Sequence, residues 1–432
     1  MAGLLRRPGR AVAARGAGAG AVVATAGAPG CSCPGPGLRA GGRVMLRRRA
    51  LLQALACGAG AGLLAPWARP ARGEGQPVAQ PTAQSAQSAQ SAQPILAESS
   101  PASLLQHFGP PMAAAPRRIV AAGPPAAVLV AALAPAQLLG WPMPLPDAAR
   151  ALLAPGLARL PTIGRLAGRG STLGTEGLLA LRPELIVDVG STDDYYRSQA
   201  QRLAQQTGIP YVLVDGSLPH SAQQLREVGQ LLGAAQRAAQ LAQYAQQALA
   251  QAQQLRQRLQ AQPPRFYLAR GADGLETGWR GSINSQLLEY LGAHNVAAPP
   301  ASQPGRPGRQ GGGTSRVPLE QLLQWNPQLI VTQQPGLAEQ LRQHPQWRSV
   351  QAVRQGLVLQ IPHLPFGWVD GPPGINRLIG LRWLSLLLQH WDGATALEAA
   401  ALRGRIEPQA RAFYQLFYGC AAGVALPPGA LP

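Results

Sequence analysis

The chain contains no lysine. All 38 of its basic residues are arginine, set against 19 Asp and Glu, and aromatics make up 5% of its 432 residues. With 51 Gly and 42 Pro, this points to GC-rich coding, so the net charge of +19 is a poor sign of nucleic-acid binding. Eleven of the arginines fall in the first 72 positions, where no acid occurs; beyond them 27 Arg face 19 Asp and Glu, a balance of +8. Cysteine is almost absent. Cys31, Cys33 and Cys57 sit near the N-terminus and leave Cys420 alone in the rest, which excludes an internal disulfide there and, with no CxxC pair, a structural zinc site. No run approaches the ~20 apolar residues of a membrane span. Dinucleotide and P-loop glycine patterns are missing, as are His/Ser/Asp and paired-carboxylate spacings, which argues against an enzyme. No His and carboxylate cluster of the kind that holds a bare metal ion occurs either.

What is present begins with an address. "RRRALLQALACGAGAGLLAPWA" opens on three arginines, continues through apolar and small residues broken by glycine, and closes near Trp67, the pattern of an export signal. Arg47-Arg48-Arg49-Ala50-Leu51-Leu52 resembles a twin-arginine signal, with Met45 as an alternative start. Ala54-Leu55-Ala56 before Cys57 fits a lipidation box poorly, so no lipid anchor is expected. Residues 1–72 are read as this export region. "QPTAQSAQSAQSAQP" then lies in a Gln/Ser/Ala-rich stretch, 73–114, with no apolar periodicity, which reads as a disordered linker.

From residue 115 the pattern is strand and helix in alternation, and 46% hydrophobic content is enough for real cores. Ile119 to Ala122, Leu138 to Trp141, Leu185 to Val189 and Tyr211 to Val214 are short apolar runs closed by Gly, Pro or Asp, as expected of buried parallel strands. Asp194 to Gln206 lies between two of them as a helix. The alternation restarts near Arg265, with strands at Phe266 to Ala269, Leu329 to Thr332 and Leu357 to Ile361, and helices at Ser285 to Leu291, Pro318 to Trp325 and Pro373 to His390. Residues 234 to 262 contain no Gly or Pro and consist of strong helix formers. The expected fold is α/β: two Rossmann-like lobes with parallel sheets, 115–232 and 264–392, joined by one long rigid helix, 233–263, and followed by a helical extension, 393–432. "PPASQPGRPGRQGGGT", 299–314, reads as an inserted loop.

Two stretches nearly repeat. "EGLLALRPELIV" runs from Glu176 and "EQLLQWNPQLIV" from Glu320; in each, Glu leads, Pro follows seven residues later and the phrase closes on Leu-Ile-Val. Each reads as a helix that opens at the Glu, ends ahead of the Pro and gives way to a buried strand. The two glutamates therefore occupy matching surface positions on related lobes. In a helix first turn a carboxylate is also favoured by the dipole alone.

Paired α/β lobes, an export signal and a helical strut together resemble the helical-backbone class of periplasmic substrate-binding proteins of ABC importers, which serve ferric siderophores, haem, cobalamin and molybdate. The resemblance covers about residues 115 to 392. It implies a monomer in the periplasm that captures a small metal complex, hands it to an ABC permease dimer in the inner membrane, and needs neither a cofactor nor nucleic acid. It also implies that Glu176 and Glu320 dock onto arginines of that permease. "YLARGADGLETGWRGSIN", from Tyr267, and "PHLPFGWVDGPPGINRLIGLRWL", from Pro362, leave strands into loops and then enter helices, where open α/β sheets bind ligands. Both look like members of this family described as binding iron complexes, with molybdate and tungstate binders as relatives.

Ligand-binding candidates follow from those loops. Arg270 lies just past a strand end, where its planar fork suits carboxylate, catecholate or oxyanion, and Arg165 in "TIGRLAGRG" could face it across the cleft. Tyr195 and Tyr196 follow another strand end, where a phenol can stack on a ligand or coordinate a hard ferric ion. Glu276, Thr277 and Trp279 belong to the glycine loop, whose backbone N–H groups could hold an anion. His363 is the histidine of the cleft loops, with Trp368 beside it; His107 is read as preceding the fold. The expectation is an iron(III)-chelate cargo, with molybdate, tungstate or cobalamin in the same role as the alternative, and a chelatase-like enzyme or a permease-independent sensor as readings of another class.

Overall fold

The computed structural model describes residues 102–167, 170–298, 314–389, 391, 399–420 and 425–432. The export region, the twin-arginine and Cys57 readings, most of the 73–114 linker, the 299–313 loop and His390 lie outside the described residues. The described residues belong to one unit of the chain, Gln93–Pro432.

The N-terminal lobe is built from β1 (Leu105–Phe108), β2 (Ile119–Ala121), β3 (Leu185–Gly190) and β4 (Tyr211–Asp215) in the order β1-β4-β3-β2. β2, β3 and β4 are mutually parallel, while β1 is an antiparallel edge on β4, with Phe108 opposite Tyr211. The expected start of order near residue 115 is therefore too late, and His107 belongs to β1. Leu138–Trp141 forms isolated bridges to Ile119 and Thr162 in place of the expected strand. Pro142 lacks an N–H and ends the pairing there. The helices are α1 (Pro124–Leu133), α2 (Asp147–Arg150), α3 (Pro155–Ala158), α4 (Thr175–Ala180), α5 (Asp194–Thr207) and α6 (Ser221–Leu231). Asp193 caps α5, its carboxylate accepting from the N–H groups of Tyr195 at 3.1 Å and Tyr196 at 3.2 Å, and Gly208 ends it at φ 68°.

α7 (Ala235–Leu259) then runs for 25 residues, about 37 Å at 1.5 Å per residue. Its buried face is mostly alanine, with Leu241, Leu249 and Leu255 among Ala238, Ala242, Ala245, Ala248 and Ala252. Small residues let neighbours approach: a Cβ at Gly229 of α6 would lie 2.1 Å from that of Ala238.

The C-terminal lobe holds β5 (Arg265–Ala269), the short β6 (Glu276–Gly278), β7 (His294–Asn295), β8 (Thr314–Arg316), β9 (Leu329–Thr332) and β10 (Val358–Gln360). Its main sheet is parallel in the order β10-β9-β5-β7, and β6 pairs with β8 in a separate antiparallel ribbon. α8 (Gln286–Tyr290), α9 (Leu319–Trp325), α10 (Leu337–Gln343), α11 (Gln351–Arg354) and α12 (Arg377–Leu388) complete the lobe, and α13 (Ala399–Tyr418) follows. β2-β3-β4 and β5-β9-β10 thus occupy corresponding places, each with one half of the repeated phrase entering its central strand.

Period-2 alternation divides the strand residues between two faces. Val187 of β3, Leu268 of β5 and Val331 of β9 join one continuous cluster with α1, α7, α12 and α13, whereas Ile186 and Ile330 fill separate outer cores. One core therefore runs through both lobes. α13 contributes Phe413, Tyr414, Phe417 and Tyr418 to it, Phe413 and Phe417 packing on Tyr244 of α7 at 5.5 Å between ring centroids. Arg237 of α7 donates to the carbonyls of Leu416 and Phe417 in the last turn of α13 and to that of Ala132 in α1. The chain end is fastened too, Gln360 N–H donating to Gly429 and the Trp383 indole to Ala430.

Candidate functional site

The loops that leave the C-terminal ends of the parallel strands meet between the lobes. After β4, Asp215 accepts from the Ser217 hydroxyl at 3.0 Å and lies 2.8 Å from His220 Nδ1, which fixes the turn that follows. The Gly216 carbonyl of that turn accepts from Arg377 Nη2 at 2.6 Å, and Leu218 N–H donates to the Gln286 side-chain carbonyl at 3.1 Å. Gln286 also accepts from Arg377 Nη1 at 2.8 Å, and Arg377 Nε donates to Gly374. Arg377 is 2% exposed, and burial draws its pKa down to about 10, with Asp215 acting the other way. The sequence shows Arg377 at a helix entrance but gives no sign that it reaches across to the other lobe.

Arg270 leaves β5 and pairs its backbone with Glu276, at 2.7 and 3.1 Å, across a turn in which Gly271 and Gly274 have φ 74° and 76°. Its side chain is ion-paired with Asp370, a residue sequence reasoning missed, whose side chain is 4% exposed against 19% for the arginine. Arg270 therefore couples the glycine loop to the loop after β10, and its charge is already balanced before any ligand arrives. The available signal was local: Asp370 is the acid in the "PHLPFGWVDGPPG" loop. Arg165 is held in a closed loop, its Nε donating to Gly170 at 2.7 Å and its carbonyl accepting from Thr172 N–H.

The remaining candidates separate. Tyr195 stands 64% exposed at the mouth of α5, its ring 5.2 Å from that of Tyr196 and nearly perpendicular to it. Tyr196 is half-buried, and burial, with Asp188 and Asp193 nearby, raises its phenol pKa. Glu276 is half-buried, and Thr277 is fully enclosed, so that only the backbone of this turn is left to meet an anion there. Trp279 packs on Trp325 at 6.4 Å beside the outer core of the C-terminal lobe. Trp368 is 1% exposed, donates its indole N–H to the Tyr414 hydroxyl at 2.5 Å, and lines the cavity that His363 borders. His363 borders a cavity of about 280 Å³ with Leu152, Leu364 and Leu426, and burial lowers its pKa. Among the described residues no group of three or more His, Cys, Asp or Glu is placed to hold a metal ion.

Glu176 and Glu320 are both exposed, each in the first turn of its helix, α4 and α9. In each helix the leucine two positions on, Leu178 or Leu322, is fully buried and anchors the turn to its lobe.

Two α/β lobes on a shared helix, with loops converging between them, form a two-lobed α/β architecture with a seam where the strand-end loops meet. Residues 164–364, a little under half of the chain, match the periplasmic binding protein family, a family of binding proteins and not of enzymes. The molybdate-binding protein MolA of Haemophilus influenzae is 30% identical over 117 residues, 26% of this chain and 30% of that protein, so the match spans less than a third of this relative. Among solved structures, an ABC transporter solute-binding protein from Sulfurospirillum deleyianum superimposes with a TM-score of 0.61 at 23% identity, over 73% of this chain and 93% of that one. Molybdate-bound MolA gives 0.52 at 22% identity, over 72% and 95%. At these identities the structures show a common fold.

Proposed function

We propose that the chain is the periplasmic solute-binding component of an ABC importer, carrying an anionic metal species between its lobes to a permease dimer. The observation that carries the importer role is the repetition of an exposed Glu at one place in each lobe, Glu176 and Glu320. Paired, separated carboxylates suit a partner that presents cationic groups twice. The periplasmic setting rests on the family and on the export signal; no helix of the described residues is long and apolar enough to cross a membrane.

For the cargo, an oxyanion of the molybdate or tungstate type is supported by the 30% identity to MolA. An iron(III) chelate is the second reading, supported by the exposed Tyr195 phenol, a hard oxygen donor in the first turn of α5. Arg165 and Arg270 remain the candidate anion contacts, with Arg270 oriented by Asp370. Titration of the exported protein with molybdate, tungstate, ferric siderophores and cobalamin, followed by calorimetry and melting, tests this reading. Tight binding of one oxyanion and none of the chelates is expected. Tight binding of cobalamin alone, or of none of the four, would overturn the anionic-cargo assignment.

A further inference from the structure

Three large hydrophobic side chains stand exposed among the described residues: Leu179 at 47%, Tyr195 at 64% and Leu323 at 37%. Single exposed leucines are ordinary on protein surfaces. These two are not independent of each other, because each lies three residues after the glutamate of the repeated phrase, Leu179 after Glu176 and Leu323 after Glu320. Residues three apart on a helix are surface neighbours. In both helices the partition is the same: Leu178 and Leu322 are fully buried, Leu181 and Trp325 pack on the outer core of their lobe, and the Glu and the second Leu face solvent. The folding of α4 and α9 thus uses one face and leaves an acid-and-leucine pair on the other, once per lobe.

We infer that Leu179 and Leu323 are the apolar halves of two matched docking points for the permease, each seating in an apolar socket beside the cation that meets its glutamate. The inference rests on the importer reading and deepens it. The charge of the glutamate selects a cationic rim, and the leucine beside it selects an apolar floor. Their repetition selects a partner that offers the same pair of features twice. The two components respond differently to salt: the ionic part is screened within ~3 Å at 1 M, whereas apolar burial is not weakened by it.

The test measures binding of the full exported chain to its ABC permease dimer, in lipid nanodiscs, at 0.05 M and 1 M NaCl. Leu179→Ala and Leu323→Ala, and the volume-keeping Leu179→Gln and Leu323→Gln, should each weaken binding roughly five- to thirtyfold at both salts. Glu176→Gln and Glu320→Gln should weaken it at low salt and little at high salt. Cargo affinity and melting temperature should not change in the leucine variants. Leucine variants within twofold of the parent, while the glutamate variants lose affinity, would overturn this inference and leave the importer reading standing. Full affinity in all six variants, or no binding by the parent, would overturn both. A lowered melting temperature in the leucine variants would make them packing residues and overturn the docking role.

Discussion

Arg182 and Asn326 share a left-handed backbone, φ 45° and 42°, and each immediately precedes the proline of its half of the repeated phrase. The helix ends there, because proline disfavours continued right-handed helix in the residue before it, and one left-handed residue turns the chain into the next strand. The two sites satisfy this geometry differently. Asn326 tolerates it and uses its side-chain oxygen to accept from Gln351 N–H at 2.8 Å, whereas Arg182 gains no such bond from its own side chain. Arg118 compensates nearby by donating to the Leu181 carbonyl at 2.6 Å and the Arg182 carbonyl at 3.0 Å.

Arg182 is exposed, so its replacement removes little packing. Arg182→Asn should raise stability by about 0.5–1 kcal/mol by relieving left-handed strain, and Asn326→Ala should lower it by about 1–2 kcal/mol through lost tolerance and a lost hydrogen bond. Chemical denaturation of both variants measures this. Equal effects of either sign at the two sites would show that the left-handed turn is not what separates them.

Asp188 on β3 is 7% exposed, accepting from the Tyr211 hydroxyl at 2.8 Å and from Val189 N–H at 2.9 Å. Burial raises its pKa above the ordinary 3.8, the two hydrogen bonds acting the other way. A carboxyl whose folded pKa lies above its unfolded value contributes its full stability below the unfolded value and loses it as pH rises through the folded one. Asp188→Asn, which keeps the shape and has no charge to bury, should therefore gain on the parent as pH rises from acid toward neutral. Melting temperatures taken across that range would show a widening gap; a constant gap would remove Asp188 as the cause.

Much of the fold is written in local pattern. β3, β5 and β9 read as short, largely apolar runs because both faces of each sheet are covered, with Asp188 the one acid inside β3, and α7 is legible from 25 residues without Gly or Pro. β1 escaped because Leu105–Phe108 places Gln106 and His107 in a four-residue, half-buried edge strand, where polar residues are tolerated. The site was less legible than the fold. Arg270 was chosen for its place at a strand end, yet its partner Asp370 is 100 positions away in sequence, and no periodicity links the two. The burial of Trp368 was hidden for a similar reason, since a tryptophan in a Pro- and Gly-rich loop looks open until Tyr414 of α13 closes over it.

The Arg270–Asp370 pair sets a condition on any ligand role for Arg270. Removing the arginine leaves the nearly buried Asp370 carboxylate uncompensated, which costs about 3–5 kcal/mol where the site is dry and less where, as here, one partner keeps some solvent. Arg270→Leu alone should therefore destabilise strongly, and Arg270→Leu with Asp370→Leu should recover much of the loss, giving a coupling of about 1.5 kcal/mol or more. Additive single and double variants would show the pair to be a chance proximity. Cargo affinity has to be compared in the double variant, where loss of the fold no longer masks loss of a contact.

Arg377 joins the lobes. It carries a charge at 2% exposure with hydrogen bonds to the carbonyls of Gly216 and Gly374 and to Gln286, and Gln286 in turn accepts from Leu218 N–H. Gly216 and Leu218 follow β4 of the N-terminal lobe, whereas Gln286 opens α8 and Arg377 opens α12 of the C-terminal lobe. Arg377→Met fills similar space but strands the Gly216 carbonyl and half of Gln286, so it should cost about 2–4 kcal/mol. Arg377→Lys keeps the charge without the fork and should fall between that variant and the parent. Hydrogen exchange distinguishes a seam between lobes from a merely buried residue. Leu218 N–H should exchange faster in both variants, and most in Arg377→Met, while the amides of β3 and β9 exchange as in the parent. Faster exchange spread evenly over both sheets would mean that Arg377 supports the whole core and does not specifically hold the lobes together. Unchanged exchange at Leu218 would remove it from the seam.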